Sequence, residues 1–197
     1  RRFARRRMDR DTMRTTVFVG ISVDGFLARR NGDLDFLPSG DVEEHGYEAF
    51  VATVDAIVIG RGTFEKVLEF EEWPYGKRRV VVLSSRPLDL SRVPRESVEQ
   101  MSGPPEEIVA RLSARGIGHI YVDGGITIQR FLRAGLIQRL IVTRVPVLIG
   151  DGIPLFGALD SDVKLRHVET RTYRGGLVQS EYAIEGSSAP PGSTEPS

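Results

Sequence analysis

"HIYVDGGITIQRFLRAG", His119 to Gly135, is the stretch on which the reading of the whole chain depends. Ile120, Tyr121 and Val122 make a short apolar run of strand type, and it stops at Asp123. Gly124 and Gly125 follow. Ile128, Phe131 and Leu132 then recur at helical spacing, and Gly135 ends the pattern. A buried strand therefore passes into a helix over two residues without side chains. Two consecutive glycines leave the backbone bare, so an extended polyanion can lie against the N–H groups of the helix start. A plain tight turn uses the same residues. The G-x-G-x-x-G dinucleotide fingerprint is absent.

The strand-then-helix unit recurs along the chain. "TTVFVGISV" (15–23) reads as a buried strand. "EEHGYEAFVATVD" places Tyr47, Phe50, Val51 and Val54 on one helical face. "AIVIG" (56–60) is a strand followed by a short helix in "RGTFEKVLEF", and "RRVVVLSS" (78–85) is the next strand. "PPEEIVARLSARG" carries Pro and Glu in its first turn and Gly116 as its stop. "IQRLIVTRVPVLIG" is one long strand or a strand broken at Pro146. The end changes style, with a β-hairpin turning on Arg174-Gly175-Gly176. Such alternation, closed by an antiparallel hairpin, predicts an α/β protein with a mixed sheet covered on both faces. Sheets of this kind bind ligands at the carboxyl ends of their strands.

The bulk numbers bound the function. A chain of 197 residues with 40% apolar and 27% charged residues is long enough for one domain with a real core. No apolar run reaches the length of a membrane span. The formal net charge is zero but uneven: residues 1–14 carry a balance of +5, so the body carries −5 and offers no basic field for nucleic acid. The arginine-rich start is an arm for nucleic acid or membrane, a targeting piece, or an extension ahead of Met13. The last is preferred, because no apolar signal-peptide run follows. Residues 1–14 are thus expected to be a basic flexible extension, 15–185 a single domain, and 186–197 a disordered tail. Cysteine is absent, which excludes disulfides, thiolate nucleophiles and cysteine-ligated zinc. The three histidines, His45, His119 and His167, are too dispersed for a metal site. Nothing points outside the cytoplasm.

Three strand ends carry polar patches. "GRGTFE" sets Gly60, Arg61, Gly62 and Thr63 before a helix, which suits an anion cradle. "SSRP" offers Ser84, Ser85 and Arg86, a guanidinium able to fork onto phosphate. "DGG" is the third. Each patch also reads as an ordinary turn or loop. Together they suggest a ligand with several anionic groups spread along one sheet edge.

In order, "SVDGFLARRNGDLDFL", "VDAIVIGRGTFEKV", "VVVLSSRPL", "IYVDGGITIQRFLRAGLI" and "PVLIGDGIPLF" resemble the dihydrofolate-reductase-like family typified by the C-terminal reductase domain of the riboflavin-biosynthesis deaminase-reductase. The resemblance covers roughly residues 15–184. It implies a three-layer fold with a mostly parallel mixed sheet, helices on both faces and a C-terminal hairpin. It also implies NADPH as cofactor. Gly60, Arg61 and Thr63 would then face its phosphates. Ser84, Ser85 and Arg86 would surround the adenosine end with its 2′-phosphate, and Gly124, Gly125, Ile126 and Thr127 would meet the pyrophosphate. A cis peptide at Gly124–Gly125 and a homodimer are implied as well. The substrate would be a small heterocycle, either the 5-amino-6-(5-phosphoribosylamino)uracil of riboflavin biosynthesis or a dihydrofolate-like pteridine. A non-catalytic nucleotide-binding module of the same fold is the further alternative. Without cysteine the zinc signature of the deaminase half cannot be built.

"SVDGFLA" leaves the first strand at Asp24. An acid there is a turn former or a pocket acid, and the resemblance implies substrate contact, so Asp24 is the expected catalytic residue. Asp33, Asp35 and Phe36 are expected in a surface loop or lid, and His45 in the first turn of a helix. Trp73 is read as core packing, and Gly150 and Gly152 as loop formers. Gln138-Arg139 stands where the family commonly has an acidic pair, which alters the charge of a strand start.

Overall fold

The computed structural model describes residues 13–38 and 45–186. An eight-stranded sheet runs in the order β5-β4-β3-β6-β1-β7-β10-β9. Its strands are β1 (Arg14–Ser22), β3 (Ala56–Gly60), β4 (Val80–Leu83), β5 (Val98–Met101), β6 (His119–Asp123), β7 (Arg139–Val145), β9 (Leu165–Tyr173) and β10 (Leu177–Ile184). The six strands from β5 to β7 are parallel, and β10 pairs antiparallel with both β7 and β9. A small second sheet joins β2 (Phe26–Ala28) to β8 (Ile153–Pro154). The central strands are built from Val, Ile and Thr, and β1, flanked by β6 and β7, is buried along nearly its whole length.

Two apolar layers enclose the sheet. On one face α3 (Pro105–Ala114) and α4 (Gly125–Arg133) bury Ile108, Leu112, Ile128 and Phe131 against Val17, Val58, Val81 and Ile120. On the other, α1 (Tyr47–Val51) and α2 (Arg61–Val67) bury Phe50, Val51, Phe64 and Val67 against Phe18, Ile57, Ile59 and Val82. Alternate strand residues thus serve opposite cores. Each buried Ile or Phe contributes about 1.5–3 kcal/mol. Both α3 and α4 end the same way. Gly135 N bonds to Leu132 O and Leu136 N to Phe131 O, and Gly116 N bonds to Ser113 O and Ile117 N to Leu112 O. Gly116 (φ 82°) and Gly135 (φ 66°) supply the left-handed turn this closure needs.

The three-layer dihydrofolate-reductase-like arrangement and the hairpin on Arg174–Gly176 are as the sequence implies. The domain boundary differs, since Met13 is 5% exposed in the core and Arg14 opens β1. The flexible extension and the disordered tail otherwise lie outside the described residues. Three strands carry no clear signal in the sequence: β5, where only Val98 and Met101 are buried, and the two- and three-residue pieces β8 and β2. Gln138 and Arg139 bind within the chain. Gln138 Oε1 accepts from Thr15 N at 2.7 Å, and Arg139 forks onto Glu181 of β10 at 2.5 and 2.7 Å.

His119 sits in the core as a neutral ring. Thr53 O accepts from Nδ1 at 2.9 Å, Thr16 Oγ1 lies 2.9 Å from Nε2, and burial pushes the imidazole below its usual value. A depressed folded value means that the unfolded chain binds more protons. The stability this histidine contributes is therefore complete above about pH 6.5 and lost as pH falls through the folded value. The unfolding temperature is expected to drop between pH 7 and 5, and His119→Gln to flatten that slope in thermal melts followed by circular dichroism. An unchanged slope refutes the assignment. The surface carboxylates act in a lower window, because Asp33 and Asp35 are held below the ordinary 3.8 by Lys66 and Arg29.

Candidate active site

The carboxyl ends of β3, β6 and β1 surround a cavity of about 390 Å³. It opens on the face covered by α1 and α2. Phe18, Leu27, Leu37, Val67, Tyr75 and Ile153 supply apolar walls, and Gly62, Thr63, Gly124 and Gly125 form one rim.

The rim is a tight junction of two strand–helix turns. A Cβ on Gly60 would come within 2.7 Å of Thr127 Oγ1, and one on Gly124 would fall onto the Thr63 hydroxyl. Gly124 has φ 94° and ψ 134°, a conformation L-residues rarely adopt. Gly125 is buried, and a Cβ there would press on Ile153 Cγ2 and Pro154 O of β8. The Gly124–Gly125 peptide is trans, which corrects the cis expectation. The turn is made by the positive φ at Gly124, so no inverted peptide is needed. Helix α4 starts without a side-chain cap, leaving its first N–H groups for a partner outside the helix. Donors without intrahelical partners, beside glycines a Cβ would obstruct, are what a pyrophosphate requires.

The ten residues expected around the cofactor fall into two groups. Thr63, Gly124 and Gly125 lie on the rim, Gly60 and Thr127 meet in the strand–helix junction that carries it, and Ile126 stands beside it, 74% exposed. Arg61, Ser84 and Arg86 form a second cluster at the end of β4. Arg61 donates from Nε to Ser84 Oγ at 3.0 Å and from Nη2 to Arg86 O and Pro87 O at 2.9 and 2.6 Å, while Nη1 holds Glu65. Arg61 therefore braces this loop rather than pointing at the rim. Ser84 Oγ donates to Arg86 O at 2.7 Å and accepts from Arg86 N at 3.2 Å. Ser85 and the Arg86 side chain are exposed beside them.

Asp24 is absent from the cavity walls. Its carboxylate accepts from Ile149 N at 3.3 Å and Gly150 N at 2.7 Å, tying the turn after β1 to the loop that leads into β8. The Ser22 hydroxyl first, and these N–H groups after it, hold the carboxyl below its usual value. Asp33 and Asp35 stand in ion pairs, Asp33 with Lys66 at 2.7 Å and Asp35 with Arg29 at 2.5 Å. His45 precedes α1 instead of lying in its first turn. Its ring stacks on Phe18 at 6.2 Å, and Nδ1 is buried without a partner. Trp73 packs edge-on against Phe64 and Tyr75.

Sequence reasoning did not place Tyr47, Lys66, Tyr75, Tyr121 or Asp123 on the cavity wall. Burial pushes the Tyr47 phenol up to about 12, with Asp123 adding to the shift, and raises Tyr75 further for the same reasons. Lys66 Nζ is held by Asp33 and Glu69. Among the described residues there is no cluster of three or more His, Asp or Glu able to hold a metal.

The family model of the RibD C-terminal domain matches residues 14–179. The chain belongs to the RibD C-terminal domain family. Relatives are consistent with this assignment. The uncharacterized protein YwjB of Bacillus subtilis is 31% identical over 172 residues, 86% of this chain and 97% of that protein. The crystal structure of a putative riboflavin biosynthesis protein from Shewanella sp. PV-4 superposes with a TM-score of 0.82 at 35% identity, over 88% of this chain and 99% of the other. A dihydrofolate reductase of Enterococcus faecalis, complexed with NADP(H), shares the fold at a TM-score of 0.63 and 19% identity, over 89% of this chain and 98% of that one. The chain is thus RibD-reductase-like, with a dihydrofolate-reductase-like fold. Among the described residues no helix is long and apolar enough to cross a membrane.

Proposed function

We propose that the chain is an NADPH-dependent reductase of a small heterocycle. One observation carries the reading: an apolar cavity of about 390 Å³ lies directly beside a glycine rim and an uncapped helix start. A dinucleotide bound along the rim would have its phosphates at α4 and its reduced ring at the cavity mouth, and the bound group supplies hydride. The chain's own residues supply the rest. Thr63 and the α4 N–H groups hold the phosphates, Arg86 faces the 2′-phosphate, and the apolar walls exclude water from the reacting ring. The NADP(H) complex of the enterococcal reductase supports the choice of nucleotide. The cavity suits a single planar ring system, an aminopyrimidine or a pteridine.

Calorimetry with NADPH and NADH, followed by NADPH oxidation in the presence of aminopyrimidines and dihydropterins, tests the proposal. Binding without oxidation would convert the reading to a nucleotide-binding module. No heat at millimolar nucleotide would end it. A soluble cytoplasmic homodimer belongs to the same proposal. The homodimer is favoured by β9, a nine-residue edge strand exposed on both faces, and is checked by light scattering.

Asp24 enters the proposal as the anchor of the cavity's far wall. Its two N–H contacts fix the loop before Ile153, which lines the cavity. Asp24→Asn keeps one acceptor and loses the charge. Turnover is expected to fall about fivefold while NADPH affinity stays near wild type. An equal loss in both would place Asp24 with the cofactor or the fold.

A further inference from the structure

Tyr47, Tyr75 and Tyr121 line the cavity, and the fold treats their hydroxyls differently. Tyr121 donates to Phe18 O at 2.8 Å. Among the described residues the hydroxyls of Tyr47 and Tyr75 have no hydrogen-bond partner. Tyr75 is nevertheless only 5% exposed. A buried hydroxyl costs free energy unless something bonds to it. The ring is a wall of the cavity, so the partner has to come from what fills the cavity.

Both rings are fixed by packing. Tyr75, in the segment after α2, lies edge-on to Trp73 at 5.2 Å, and its carbonyl accepts from Arg78 N at 3.1 Å. Tyr47, on α1, lies edge-on to Phe18 at 5.6 Å and to Tyr121 at 6.3 Å. Burial first, and Asp123 after it, keep both phenols protonated, and Tyr47 adds to the rise of Tyr75. The pair therefore offers two protons to a ligand. An anion would meet the Asp123 carboxyl in the same cavity, and Lys66 of the wall is already held by Asp33 and Glu69. An amino group would set hydrogens against hydrogens. A ring nitrogen has one lone pair to give. A carbonyl oxygen is uncharged and has two lone pairs, so it can accept from both phenols.

We propose that Tyr47 and Tyr75 are specificity-determining residues whose hydroxyls donate to a ring carbonyl of the substrate, so that the site selects an oxo heterocycle over its amino counterpart. The inference rests on the reductase reading above only in calling the bound ring a substrate. Tyr75 carries the larger share, because Tyr47 is only half-buried. Discrimination follows from burial: an analogue without the carbonyl leaves the donors unpaired.

The test uses 6-methylpterin and 2,4-diamino-6-methylpteridine, which differ in one ring carbonyl replaced by an amino group. Binding is followed by ligand fluorescence with and without NADPH, at a pH where both rings are neutral. Wild type is expected to prefer the oxo compound about tenfold or more. Tyr75→Phe is expected to weaken the oxo compound about fivefold and to leave the diamino compound and NADPH unchanged. Adding Tyr47→Phe is expected to erase the preference. The Tyr75 hydroxyl holds nothing in the protein, so Tyr75→Phe is expected to melt at or above the wild-type temperature, whereas Tyr121→Phe, which frees Phe18 O, melts lower. A wild type without the preference overturns the proposal, as does a Tyr75→Phe protein that keeps it in full. So does an equal loss of both rings and NADPH in Tyr75→Phe, or a wild type that binds neither ring at millimolar concentration. A wild type that prefers the oxo ring but binds no pyridine nucleotide upholds the donor pair and overturns the reductase reading alone.

Discussion

Gly124→Ala is expected to abolish pyridine-nucleotide binding and to lower the unfolding temperature by roughly 6–12 °C. Two costs combine at this position. The backbone sits at φ 94°, ψ 134°, where an L-residue is strained by about 1–3 kcal/mol, and the new methyl would occupy the place of the Thr63 hydroxyl. Relief requires the β6–α4 turn to move away from α2, which opens the junction that forms the rim. A second glycine separates the two costs. Gly175, in the hairpin turn, has φ 76°, and no heavy atom lies within 4 Å of the point where its methyl would stand. Gly175→Ala therefore carries backbone strain alone, about 1 kcal/mol, and leaves nucleotide binding intact. Adding Thr63→Ala to Gly124→Ala removes the overlap and recovers part of the stability but not the binding, because the strained turn and a rim hydroxyl are still lost. Thermal melts and calorimetry on the four proteins distinguish these outcomes. A Gly124→Ala protein that binds NADPH like wild type would show that the rim does not hold the nucleotide.

The sheet was legible where strands are runs of β-branched residues buried on both faces, as in β1, β3, β4, β6 and β7. The hairpin was legible because Gly175 and Gly176 mark its turn. β5 was not, since its "VEQM" has two charged or polar residues in four and takes its place from pairing with β4. The rim was legible for a related reason: a glycine in sequence reports a demand of the backbone, and Gly60 and Gly124 both answer a close approach. Gly125 answers a different one, the packing of β8, which no local pattern announces. The cavity walls were hidden. Tyr47 falls on the apolar face of α1 and reads as core, yet its ring borders the cavity. Lys66 reads as a solvated helix residue until Asp33, 33 positions earlier, is brought to it. The two acids show the limit most clearly. Asp24 and Asp123 each stand before glycine at the end of a strand. Asp24 lies two residues beyond β1 and turns to a loop, whereas Asp123 completes the alternation of β6 on the face of Tyr121. Strand register separates them, and register is a property of the assembled sheet.

Arg86→Ala is expected to weaken NADPH binding roughly ten- to a hundredfold and to leave NADH nearly unchanged. The loop that carries Arg86 is fixed through its backbone. Its carbonyl accepts from Arg61 Nη2, Ser84 Oγ and Gln100 Nε2. The side chain takes no part in these bonds, so its removal spares the loop and deletes only the guanidinium. That guanidinium is exposed at the end of β4, one strand beyond the rim at β3 and β6, so an extended dinucleotide with its pyrophosphate at α4 would reach it with its adenosine end. A 2′-phosphate meets a forked donor there and a 2′-hydroxyl gains little from it. A charge-assisted bond contributes about 1.5–3 kcal/mol, which sets the size of the discrimination. Arg61→Ala makes the contrast, because it frees the carbonyls of Arg86 and Pro87 and loosens the whole loop, so both nucleotides lose affinity together. Equal losses of NADPH and NADH in Arg86→Ala would remove this side chain from the 2′-phosphate and leave the loop's fixed backbone as its contribution to binding.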